Sequence, residues 1–159
     1  MVVNVSSVAA RVPGTAFQGF YDASKHALNT LSESLFEELE PYGIRVVCIE
    51  PGFVATEIMA NADAVPRPPG PYTALYEWVL EFYRRSVAAA ADRASAVADA
   101  IVAAAEDPST PVHVLVGADA EAIVAAVAGL DAFEGFSSLG RQIVESVAGP
   151  RPEDPPGPP

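Results

Sequence analysis

The sequence predicts an α/β chain, with a parallel sheet of three recognisable strands and helices on both faces. Three observations carry this. Residues 2–6, 44–50 and 111–116 are short apolar, β-branched runs bounded by turn residues. The stretches between them repeat apolar groups at helical spacing and close on Pro or Gly. A helix joining two such strands favours the right-handed parallel βαβ connection.

The first run, Val-Val-Asn-Val-Ser-Ser-Val at 2–8, ends in two hydroxyls and turns through Pro13-Gly14. A helix is expected over 22–40, with Leu28, Leu31, Leu35 and Leu39 in phase, Phe36 widening the stripe, and Glu33, Glu37, Glu38 and Glu40 mostly opposite. Pro41 and Gly43 stop it, and the second strand follows up to Pro51-Gly52. Residues 57–71, with Pro66, Pro68, Pro69, Gly70 and Pro71, read as a mobile loop. Helices are expected over 72–91, with Tyr72, Tyr76 and Tyr83 giving an aromatic face, and over 95–106. The third strand ends at Gly117, two alanine- and valine-rich helices cover 119–128 and 137–148, and the Pro-rich segment 149–159 reads as a disordered tail. Residues 1–148 then make one domain, which suits a chain of 159 residues.

A net charge of −12 with only 9 basic residues argues against a nucleic-acid partner, since phosphate binding needs clustered Lys and Arg. No apolar run approaches the ~18 residues of a membrane span. The single cysteine, Cys48, lies in an apolar run and has no partner for an internal disulfide, so a reducing cytoplasm is the expected compartment. Neither His26 nor His113 has Asp, Glu or Cys neighbours at metal-ligand spacing, and no metal site is expected.

Tyr21 and Lys25 are four residues apart and share one face of a helix. A phenol is a poor proton acceptor at neutral pH, and a neighbouring ammonium favours its ionised form. A serine hydroxyl from the adjacent strand end could hold a substrate oxygen beside that phenol. The set has the outline of carbonyl and alcohol chemistry.

Asn-Val-Ser-Ser closing a strand, then Tyr-x-x-x-Lys, then Ile-Arg-Val-Val-Cys-Ile-Glu-Pro-Gly-Phe-Val-Ala-Thr at 44–56, resembles the short-chain dehydrogenase/reductase family. The nearest flavour is similar to the 17β-hydroxysteroid and retinol dehydrogenase-like members, through Ala-Ser-Lys-His-Ala-Leu and the Val-Gly-Ala-Asp-Ala near residue 116. The resemblance implies the C-terminal part of a Rossmann-type doubly wound sheet, and hydride exchange between NAD or NADP and a secondary alcohol or carbonyl. It implies that Tyr21 is the general acid or base and that Lys25 serves both the phenol and the nicotinamide ribose. Ser7 would hold the substrate oxygen, although it lies one residue further from Tyr21 than the resemblance implies. Tyr21, Lys25, Pro51, Gly52, Val54 and Thr56 would contact the cofactor. For Pro51, Gly52 and Thr56, a plain strand-exit turn with a helix N-cap is the alternative.

The sequence holds no Gly-x-x-x-Gly-x-Gly phosphate cradle, and it reads as the family's C-terminal half. An alternative to the enzyme is therefore a non-catalytic remnant or interaction module, which self-associates or pairs through a bare edge of the first strand. On its own the chain is expected to bind nicotinamide dinucleotides weakly or not at all. Calorimetric titration with NADH and NADPH checks this, and a dissociation constant in the low-micromolar range or tighter contradicts it.

Overall fold

The computed structural model describes residues 1–63, 69–90, 93–130 and 133–152. Three strands, β1 (Val2–Val5), β2 (Val46–Pro51) and β3 (His113–Val116), form one sheet in the order β1-β2-β3, with both pairings parallel. A short 3-10 turn, Val8–Arg11, follows β1, and the long helix α1 (Gly19–Leu39) connects it to β2. Beyond β2 come α2 (Ile58–Asp63), α3 (Thr73–Ala89) and α4 (Ala94–Glu106), and beyond β3 come α5 (Ala118–Val127) and α6 (Phe133–Ala148).

β2 is central and its residues 46–50 are all buried, which is why that run is nearly continuous in apolar groups. Its side chains alternate between two different environments. Val47 and Ile49, with Val3, Val114 and Val116 of the neighbouring strands, pack against Ala96, Val97, Ala100, Ile101 and Ala104 of α4. Full burial of each such Val or Ile contributes about 1.5–3 kcal/mol. This is the apolar core. Arg45, just before β2, ties α4 to the same strand: its guanidinium donates to the carbonyls of Ala104, Ala105 and Asp107 at 2.8–2.9 Å, satisfying acceptors that a helix end leaves without partners.

The opposite sheet face is polar. Asn4, Cys48 and His113 lie in one register row, Glu50 stands two residues beyond Cys48, and α1 covers them. The orientation of α1 differs from the expected one for this reason. The leucine stripe does not point inward: Leu31 is 52% exposed, Leu28, Leu35 and Leu39 are half-buried, and Phe20 is 98% exposed. The buried side chains of α1 are Asp22, Asn29 and Ser32. Buried polar atoms on the sheet require hydrogen-bond partners, and the polar line of α1 supplies them. Asn4 Nδ2 donates to Ser32 Oγ at 2.9 Å, and Ser32 in turn donates to the Leu28 carbonyl at 2.7 Å.

The helix ends as expected. Pro41 sits in a closing 3-10 turn, Glu40–Tyr42, and Gly43 takes a left-handed φ of 67°, which glycine adopts without a Cβ penalty. The segment expected to be a loop over 57–71 instead forms α2 at Ile58–Asp63, and residues 64–68 lie outside those described. α6 begins four residues earlier than expected, and its C-terminal end docks on α3. Trp78 Nε1 donates to the Gly149 carbonyl and Arg85 Nη1 to that of Val147, both at 2.8 Å. Gly149 is thus held in place, whereas residues 153–159 of the expected tail lie outside those described.

Among the described residues β1 pairs with β2 alone, and Val5 is 45% exposed. No described helix is long and apolar enough to cross a membrane.

Urea unfolding distinguishes the observed orientation of α1 from the expected one. Leu31→Glu should change stability by no more than about 0.5 kcal/mol, as at an ordinary surface position. Ser32→Leu should cost about 1–3 kcal/mol by overfilling a closed site and leaving Asn4 without its acceptor. A large loss from Leu31→Glu contradicts the orientation.

Candidate active site

The C-terminal ends of β1 and β2 and the first two turns of α1 converge on one region, outside the carboxyl ends of parallel strands where open α/β sheets bind ligands. Its centre is Lys25. The ammonium donates to the Val5 carbonyl, the last residue of β1, at 3.2 Å, and lies 5.7 Å from the centre of the Tyr21 ring. Tyr21 is 37% exposed, so the phenol is accessible.

The two serines after β1 take different positions. Ser6 is buried and its hydroxyl donates to the Lys25 carbonyl at 3.2 Å, fastening β1 to α1. Ser7 caps the 3-10 turn: its Oγ accepts from Ala9 N at 3.1 Å, and among the described residues no hydrogen bond joins it to Tyr21. Asn4 is a strand residue whose amide reaches α1.

At the end of β2, Gly52 N donates to the Val116 carbonyl at 2.9 Å and Phe53 N donates to Asp119 Oδ2 at 2.6 Å. A Cβ at Gly52 would collide with the Asp119 carboxylate, so the turn needs glycine for this approach. Val54 is half-buried in the same turn. Thr56 is exposed, and its Oγ1 accepts from Ile58 N at 3.4 Å at the start of α2. The hydroxyl proton of Thr56 is left over for a second contact. Lys25, the accessible phenol and this hydroxyl are each hydrogen-bond donors, the chemistry that a sugar hydroxyl or a carboxamide oxygen accepts.

α3 lies over this region and brings aromatic side chains to it. Phe53 meets Phe82 edge-on at 5.9 Å and Tyr83 at 6.2 Å, and Phe17 meets Tyr76 edge-on at 5.4 Å. Phe17 holds a left-handed φ of 62° just before α1, a strained conformation for a bulky residue. The buried Asp22 fixes the same segment: its Oδ2 accepts from Thr15 N at 2.8 Å and from Thr15 Oγ1 at 2.9 Å, and Tyr83 OH stands 3.4 Å from Thr15 Oγ1. Burial pushes the Tyr83 phenol up, the Thr15 hydrogen bond opposes this, and the nearby Asp22 and Tyr21 add to the rise.

Beneath these residues lies a buried network that sequence spacing did not reveal. Glu50 is fully buried. Its Oε2 accepts from Arg11 Nε at 2.8 Å, while Oε1 faces Asn29 Nδ2 at 2.5 Å and His113 Nδ1 at 2.8 Å. His113 Nε2 reaches Glu33 at 2.9 Å, and Cys48 Sγ donates to Asn29 Oδ1 at 3.3 Å. The participants are far apart in sequence and meet only through strand register. The one visible signal was Glu50 itself, an acid inside an apolar strand. His26 stays on the exposed side of α1, its Nδ1 against the Asp22 carbonyl.

A parallel α/β sheet with a serine-bearing strand end beside a Tyr-x-x-x-Lys helix is the arrangement that the resemblance to the short-chain dehydrogenase/reductases implies. The comparisons agree, and this chain is related to the short-chain dehydrogenase/reductases, a family of oxidoreductases. Residues 1–66 match the family described as short chain dehydrogenase. The chain is 47% identical over 60 residues to an Escherichia coli protein titled uncharacterized oxidoreductase YgfF, a match covering 38% of this chain and 24% of that protein. It is 46% identical over 61 residues to retinol dehydrogenase 16 of Mus musculus, covering 38% and 19%. The crystal structure of a short chain dehydrogenase from Burkholderia cenocepacia in complex with NADP superposes with a TM-score of 0.56 at 26% identity, over 89% of this chain and 46% of that one. The chain thus spans about half of that structure, and its matches span a quarter or less of these two relatives.

Asp22→Ala and Thr15→Val tested singly and together should show a coupling of about 0.5–3 kcal/mol in urea unfolding, as for groups in one hydrogen-bonded unit. Strict additivity contradicts the proposed fastening of the loop to α1.

Proposed function

We propose that this chain carries the proton-transfer and nicotinamide-facing part of an NAD(P)-dependent oxidoreductase that interconverts a secondary alcohol and a carbonyl. The observation that supports this most is the position of the Lys25 ammonium, between the end of β1 and the Tyr21 ring. Tyr21 gives its phenolic proton to the carbonyl oxygen in reduction and takes it back in oxidation. Lys25 stabilises the charge left on the phenolate and donates to the nicotinamide ribose. Ser7 donates to the substrate oxygen while its own oxygen keeps the Ala9 contact. Pro51, Gly52, Val54 and Thr56 line the nicotinamide side, with the Thr56 hydroxyl as donor. When bound, the dinucleotide supplies or accepts the hydride. NAD and NADP are both retained. The small-molecule substrate, a setting in the cytoplasm and the lack of a nucleic-acid partner belong to the same proposal.

A second reading has its own observation. β1 is an edge strand among the described residues, and an unpaired edge is a template for another strand. The chain would then act as a non-catalytic module that pairs through β1, with itself or with another polypeptide.

The two readings separate in a preparation that turns over a secondary alcohol or ketone with NAD or NADP. Tyr21→Phe should lower turnover about 10²–10⁴-fold and leave the dinucleotide dissociation constant nearly unchanged. Lys25→Ala should damage both, and Ser7→Ala should lower turnover by the ~2.7–4 kcal/mol of a lost oxyanion donor. Undiminished turnover in Tyr21→Phe overturns the catalytic assignment.

A further inference from the structure

Cys48, Glu50 and His113 have ligand atoms that all lie within 4.8 Å of one another. Strand register creates the group, since Cys48 and His113 are direct partners across β2 and β3 and Glu50 stands two residues along on the same face. We propose that these three side chains bind a thiophilic divalent cation of the zinc class between the sheet and α1. The site lies apart from the Tyr21–Lys25 chemistry and does not depend on the oxidoreductase reading.

The ligand types select the metal. A thiolate, an imidazole and a carboxylate suit zinc and its neighbours in the first transition row, whereas magnesium and calcium require oxygen ligands throughout. The surrounding contacts are those a bound metal uses. A metal-ligating histidine generally donates its other ring N–H to a carboxylate, which fixes tautomer and ring orientation. His113 Nδ1 points to the cluster and Nε2 is held by Glu33 at 2.9 Å. Glu50 is arranged in the same way. Arg11 holds Oε2 and leaves Oε1 on the His113 side. Asn29 Oδ1, already 3.3 Å from the Cys48 sulfur, offers a neutral oxygen for a fourth position.

The charges also balance. A thiolate and the Glu50 carboxylate neutralise a dication, and Arg11 offsets Glu33. Binding releases two protons to solvent, one from the Cys48 thiol and one from His113 Nδ1; a metal–sulfur bond replaces the S–H bond, and two metal bonds of about 2.0–2.2 Å replace the His113–Glu50 hydrogen bond while Nε2–H stays on Glu33. No oxidant or reductant is needed. Cys48 and Glu50 are fully buried whereas the His113 side chain is 22% exposed, so entry is from the His113 side. Such a cation would have a structural role, joining β2, β3 and α1.

The full chain, stripped with chelator and kept reduced, is titrated with Co²⁺ as the probe. The expected result is a near-ultraviolet thiolate-to-cobalt charge-transfer band that saturates at one equivalent and is bleached by Zn²⁺. Because Cys48 is the sole cysteine, the band in the unaltered protein reports this site without any variant. Cys48→Ser should abolish it, His113→Gln should weaken binding at least tenfold, and Glu33→Gln should weaken it about 10–100-fold. His26→Gln should leave binding unchanged. Absence of the band in the unaltered chain overturns the proposal, as does cobalt uptake without a thiolate band. A cobalt affinity indifferent to both His113→Gln and Glu33→Gln overturns it equally.

Discussion

The buried carboxylate of Glu50 is the group on which the arrangement of this domain depends. It sits at the end of the central strand with no access to solvent, and it is held by Arg11 from the turn after β1, Asn29 from α1 and His113 from β3. A charged group taken out of water is tolerated only when it is paired and hydrogen-bonded, and any element that moves away leaves it without compensation. Four segments are therefore fixed relative to one another by a single side chain.

Those same segments carry the candidate site. Arg11 follows Ser7 on one short turn, Asn29 lies one helical turn beyond Lys25, and Pro51-Gly52 directly follow Glu50. The site above is thus positioned from below by electrostatics, whereas the apolar core on the other sheet face supplies cohesion through α4. The two faces divide the work. Aromatic contacts from α3 close the region, with Tyr83 touching the Pro-Gly turn through Phe53 and the start of α1 through Thr15.

Much of the fold was legible in the sequence because the central strands and helices obey simple periods. β2 is a continuous apolar run and reads as one, and Pro41 with Gly43 marks the end of α1. Ser7, Tyr21, Lys25 and the Pro-Gly turn are legible as motifs; the structure joins Lys25 to the end of β1 and puts Pro51-Gly52 at the end of β2, whereas Ser7 caps the turn after β1. The facing of α1 is not legible from hydrophobic periodicity, which assumes an apolar partner, because the sheet face it covers presents Asn4, Cys48, Glu50 and His113. Helix α2 is hidden in the sequence because it shares the stretch 57–71 with four prolines and a glycine, which signal a loop. The histidine cluster is not legible along the chain, because Cys48 and His113 are neighbours only through strand register, which sequence spacing does not encode.

The account rests on Glu50 as an ionised hub, and one substitution addresses that directly. Glu50→Gln keeps shape and volume while leaving Arg11 and His113 without their anion. In urea unfolding with chelator present, the account predicts a loss of about 3 kcal/mol, at the lower end for breaking a buried pair because Arg11 retains some contact with water. A change of less than about 0.5 kcal/mol, the range of an ordinary surface position, would contradict it.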